Sequence, residues 1–94
     1  MANDQLPDSV VAAADAIKSG EMSARELTSA CIEKADRLQP KLNCFISFQP
    51  EKALAAADAL DTVTLSGDPV GPLHGVPMAH KDMYYRVGEI STCG

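Results

Sequence analysis

Apolar residues recur at helical spacing in three stretches of this chain. Val10, Ala14 and Ile17 share one face of a helix predicted over residues 9–18, which Pro7 and Asp8 introduce and Gly20 stops. Ser23-Ala24-Arg25-Glu26 is a capping-box pattern, in which the hydroxyl and the carboxylate satisfy free backbone donors. The helix it opens is predicted over 23–38, short of Pro40, with Leu27, Cys31, Ala35 and Leu38 as its buried stripe. Pro50 suits the first position of a third helix, predicted over 50–61, whose apolar face is Ala53, Leu54, Ala57 and Leu60.

Two stretches break that period. Asn43-Cys44-Phe45-Ile46-Ser47-Phe48 places Cys44, Ile46 and Phe48 on one side and predicts a strand over 43–48. Val76-Pro77-Met78-Ala79-His80 lacks polar alternation and predicts a second strand over 76–81, covered on both faces. Residues 62–73 hold two Gly and two Pro and read as loop, and 83–94 as a stretch with little regular structure. Two strands separated by a helix begin a right-handed crossover unit without completing a sheet. The expected fold class is therefore α/β.

Composition limits what such a fold can do. With 94 residues there is room for one small domain, and its apolar 46% leans on alanine, which buries little area per residue. A modest core of this kind is expected to be marginal alone, or part of something larger. The net charge of -5 argues against an electrostatic grip on nucleic acid or an anionic membrane. No stretch approaches the roughly 20 apolar residues of a membrane span, and Met1 to Pro7 lacks the pattern of a secretory signal. A cytoplasmic location follows as the expectation. Three irregularly spaced cysteines make no disulfide framework, and Cys31 and Cys44 read as small core hydrophobes.

The candidate chemistry sits at Lys81. A lysine ending a buried strand either pairs its charge or loses it, and the neutral amine can act as a general base. His74, His80 and Cys93 lack the close ligand pair of a zinc site, so neither a metal nor a cofactor is expected. Asp82 suits an Asx-type contact that holds the following loop, His80 a place beside the lysine. Tyr84, Tyr85 and Arg86 could equally shape a pocket or anchor a loop.

Gly71-Pro72-Leu73-His74-Gly75-Val76-Pro77-Met78-Ala79-His80-Lys81-Asp82 resembles the lysine-bearing segment of the amidase signature family. Gly20 to Leu27 is similar to that family's second-helix opening, Asn43 to Ile46 to its Asn-Ala-Phe strand, and Ala53 to Asp58 to its alanine-rich helix. The resemblance implies a mixed central sheet surrounded by helices, of which residues 1–94 would be an incomplete N-terminal portion. It also implies hydrolysis of carboxamide C–N bonds by a Ser–Ser–Lys triad, with Lys81 as the triad lysine acting on a small-molecule amide. The Gly/Ser-rich segment that supplies both serines in this family has no counterpart here, and none of Ser9, Ser23, Ser47, Ser66 and Ser91 lies in a glycine-rich run of the kind that forms an oxyanion hole. One third of a triad is present, so the chain alone is expected to be inactive. A-type subunits of tRNA-dependent glutamine amidotransferases resemble the same family and are the alternative. A non-catalytic helical interaction module is a third reading. A homodimer or a complex with amidotransferase subunits would fit the enzymatic ones.

Overall fold

The computed structural model describes residues 6–79. They form three helices: α1 (Val10–Lys18), α2 (Ala24–Leu42) and α3 (Pro50–Ser66). Ser9 caps α1 by accepting the Ala12 N–H at 3.0 Å, and Gly20 at φ +81° turns the chain out of it. The capping box closes in both directions: the Glu26 N–H donates to Ser23 Oγ at 3.0 Å, and the Ser23 N–H to Glu26 Oε1 at 2.9 Å.

The remaining N-terminal donors of α2 find a partner in another helix. The Ala24 and Arg25 N–H groups donate to Asp61 Oδ1 and Oδ2 of α3, at 2.7 and 3.0 Å. A carboxylate there also answers the positive end of the helix dipole. Arg25 adds an ion pair to Asp58 at 2.6 Å, but both side chains are half exposed, so it contributes about 0–1 kcal/mol. Asp61 is therefore the polar clamp between α2 and α3. Asp61→Ala is expected to cost about 1–2 kcal/mol in urea unfolding, and Asp61→Asn, which keeps one acceptor oxygen, less.

Ala13, Ala16, Ile17, Met22 and Leu27 form the core, with Leu6, Cys31 and Val76 packed against it. The face of α1 differs from the predicted one: Ala13, Ala16 and Ile17 are buried, whereas Val10 is 55% exposed. On α2, Leu27 is buried while Cys31, Ala35 and Leu38 are only partly so. On α3 only Ala57 is fully buried, and Leu60 remains exposed.

The α/β expectation is corrected. Among the described residues there are three helices and no strand, so no sheet, mixed or parallel, is present in them. Residues 43–48 are not a strand, because a side chain takes the place of a neighbouring strand. Gln39 Oε1 accepts the N–H groups of Cys44 and Phe45 at 3.1 and 3.2 Å, and Gln39 Nε2 donates to the Phe45 carbonyl at 2.8 Å. Phe45 and Phe48 then stack on each other, ring centres 5.3 Å apart. Residues 76–79 carry no ladder either, and the rest of the second expected strand, His80 and Lys81, lies outside the described residues.

Two helices outrun their predicted ends. Helix α2 passes through Pro40 to a left-handed cap at Asn43, φ +48°. Proline in the last turn deprives only the Asp36 carbonyl of its usual donor, and Asp36 is exposed to water. Helix α3 continues to Ser66, and the hydroxyls of Thr62, Thr64 and Ser66 bond back to the carbonyls of Asp58, Leu60 and Val63 without breaking it. Gly67 ends it at φ +81°.

Candidate functional site

The segment that precedes the lysine enters the core through a tight turn. The His74 N–H donates to the Gly71 carbonyl at 3.3 Å and the Val76 N–H to that of Leu73 at 3.1 Å, so two turns overlap. Gly75, at φ +80°, is buried where they meet. A Cβ at this position would stand 3.0 Å from Ile17 Cδ1, 3.1 Å from Ala24 Cβ and 3.2 Å from Ile17 Cγ2. Both the backbone angle and the lack of room therefore require glycine. Val76 follows and packs against the core cluster, whereas Met78 is 68% exposed.

His74 ties the same turn to α3. Its Nε2 lies 2.8 Å from Thr64 Oγ1, and the Thr64 hydroxyl donates to the Leu60 carbonyl at 3.1 Å. With the hydroxyl proton so placed, the ring nitrogen is the donor in the first bond. The turn thus touches all three helices: Ile17 of α1, Ala24 of α2 and Thr64 of α3. A reading of His74 as a metal ligand or a plain turn residue overlooks this partner. A threonine in the last turn of one helix and a histidine in the following turn gave no local signal of pairing.

Lys81 lies outside the described residues, as do His80, Asp82, Tyr84, Tyr85, Arg86, Ser91 and Cys93. The described serines include several already engaged in helix ends: Ser9 and Ser23 accept from backbone N–H groups, and Ser19 and Ser66 donate to carbonyls. Burial pushes the Cys31 thiol above its ordinary pKa, with Lys34 opposing, which disfavours the reactive thiolate. Among the described residues no three of His, Cys, Asp and Glu are grouped to hold a metal ion, and no helix is long and apolar enough to cross a membrane. A shallow depression lined by Arg25, Glu26, Ser29, Ala30 and Glu33 includes no residue of the Gly71–Ala79 segment.

Comparison with known proteins bears on that segment directly. The sequence profile of the amidase family, described as "Amidase", matches residues 26–94, which include the whole of Gly71 to Asp82. The chain belongs to the amidase family. Similar relatives are the A subunits of glutamyl-tRNA(Gln) amidotransferases. That of Alkalilimnicola ehrlichii is 46% identical over 81 residues, covering 86% of this chain and 16% of the relative. That of Halorhodospira halophila is 43% identical over 79 residues, covering 84% and 16%. That of Thiobacillus denitrificans is 41% identical over 86 residues, covering 92% and 18%. The chain thus spans about one sixth of the length of these relatives. No solved structure matches it.

Membership makes residues 26–94 an amidase-family segment that includes the Gly71 to Asp82 stretch. It also puts the Gly71–Val76 turn in a functional context: a glycine that α1 and α2 leave no room to replace opens the stretch that leads to the lysine.

Proposed function

We propose that this chain carries the lysine-bearing part of a hydrolase that cleaves carboxamide C–N bonds, with Lys81 accepting the proton. The observation that carries this reading is the amidase match across Gly71 to Asp82, the stretch whose motif resembles the family's lysine segment. In the Ser–Ser–Lys scheme that the resemblance implies, a neutral Lys81 amine takes a proton from a bridging serine. The bridging serine deprotonates the nucleophilic one, which attacks the amide carbon. When the C–N bond breaks, the proton returns through the same relay to the departing amine, and water then releases the acyl group. The serines of this relay belong to sequence that Met1 to Gly94 does not contain, so Lys81 here is a base in need of partners.

The amide most favoured is the carboxamide of glutamine, whose cleavage releases ammonia. Relatives 41–46% identical to this chain are A subunits of glutamyl-tRNA(Gln) amidotransferases, and that name motivates the choice over a free-standing amidase for small or aryl amides. Under this reading other amidotransferase subunits provide the contact with tRNA, since a net charge of -5 makes this segment a poor polyanion binder. A cytoplasmic location goes with it.

The test is a graft. Residues 6–94 replace their counterparts in the amidotransferase A subunit of Alkalilimnicola ehrlichii, which is assembled with its partner subunits and supplied with glutamine. Ammonia release that depends on Lys81 is the expected result. A graft that folds and assembles but releases none, or whose release survives Lys81→Ala, overturns the proposal. Hydrolysis of simple amides with glutamine ignored keeps the hydrolase and removes the glutamine reading.

A further inference from the structure

We propose that His74 is a positioning residue for amide hydrolysis, because its 2.8 Å bond to Thr64 Oγ1 fixes to α3 the turn from which the lysine-bearing segment departs. The inference rests on the function proposed above. The turn has two kinds of anchor. Gly75 is wedged against Ile17 and Ala24, and Val76 lies on the core, which hold its exit toward α1 and α2. Its entrance has no such packing: nothing lies within 4 Å of a Cβ built on Gly71, and Pro72 and Leu73 are exposed. Of residues 67–70, which join it to α3, the first three are exposed as well and Val70 is half-buried.

The His74–Thr64 bond closes the far end of this loop back onto the helix it left, beyond the short-range Asp68 N–H to Ser66 Oγ bond at 3.4 Å near the helix end. Its two groups are partly shielded from water, where a hydrogen bond holds geometry better than on an open surface. Thr64 is itself held, because its hydroxyl proton is committed to the Leu60 carbonyl of its own helix. Pro77, two residues beyond Gly75, has its φ fixed by the ring, so a tilt of the turn is passed to the start of the lysine-bearing stretch. An error of about 1 Å in the placement of a catalytic group can cost on the order of 100-fold in rate.

The grafted enzyme provides the test. His74→Ala and Thr64→Val are each expected to lower kcat by about tenfold while KM stays within about twofold. The double variant should be no slower than either single one, because both remove the same bond. His74→Gln and Thr64→Ser, which can remake it, should recover most of the rate. The acid limb of the kcat/KM profile should move to higher pH in the two disruptive variants, as a displaced lysine becomes better hydrated. If Lys81→Ala abolishes turnover and the His74 and Thr64 variants only lower the melting temperature, with kcat per folded enzyme and pH profile unchanged, the positioning role is refuted and the hydrolase reading stands. Additive losses in the double variant also refute it. Turnover indifferent to Lys81→Ala refutes the hydrolase reading instead.

Discussion

Lys81→Ala in the grafted enzyme is expected to lower kcat by on the order of 10²- to 10⁴-fold, with little change in KM. That range is what a positioned proton acceptor contributes to a transition state. Under the proposed relay the loss falls on kcat, because there the lysine serves the serines and not the binding of the ground-state amide. Lys81→Arg separates this role from plain positive charge. A guanidinium stays protonated at any working pH, so arginine is expected to be as inactive as alanine, whereas a lysine that only held a carboxylate would be replaced with small loss. The pH dependence has a definite sign. Under the same proposal the neutral amine is the active form, so kcat/KM is expected to rise with pH through the titration of Lys81 and to flatten above it. Single-turnover release of ammonia, measured across pH on the parent and both variants, reads all three outcomes.

The helices were legible because their signals are local. Gly20, the Ser23–Glu26 box and Pro50 each act within one turn of themselves, and the structure keeps all three. The far ends of α2 and α3 were not, since Pro40 and the run from Thr62 to Ser66 count as breakers in a composition reading while the helices pass through them. Thr62, Thr64 and Ser66 look like loop residues until their hydroxyls turn back onto the helix carbonyls. The strand over 43–48 failed for a related reason. Its alternation is real, but an extended segment becomes a strand only beside another, and the amide of Gln39 satisfies Cys44 and Phe45 first.

The candidate site divides the same way. The Gly71 to Asp82 stretch stood out because its turn residues and lysine are contiguous. Its anchors did not, because each depends on residues brought in by tertiary packing: Ile17 and Ala24 against Gly75, Thr64 against His74. Asp61 is the clearest omission. An acidic residue near the expected end of α3 gave no sign that it completes the N-terminus of another helix. Burial in α1 shifted by a position for a steric reason. Small Ala13 and Ala16 let Ile17 reach the core beneath the turn, and the branched Val10 is left outside.

Gly75→Ala is expected to destabilise the fold by about 2–4 kcal/mol, from two separable causes. A side chain at φ +80° costs about 1–2 kcal/mol whatever surrounds it. Crowding adds a further 1–2 or so, because the new methyl would sit 3.0–3.2 Å from Ile17 and Ala24 in a packed interior. Ile17 tells the two apart. It is 1% exposed, and Ile17→Ala alone is expected to cost about 2–5 kcal/mol through the cavity it leaves. Two of the three close contacts belong to Ile17, so in the Ile17→Ala background the methyl at 75 enters space already vacated. The double variant should then be about 1 kcal/mol more stable than the sum of the single losses predicts, the backbone cost remaining and most of the crowding gone. Urea midpoints followed by helical circular dichroism complete the cycle. A coupling near zero would assign the whole requirement for glycine to the turn angle. A favourable one shows that α1 enforces it from across the core, and that the seat of the lysine-bearing segment is built by packing as well as by backbone conformation.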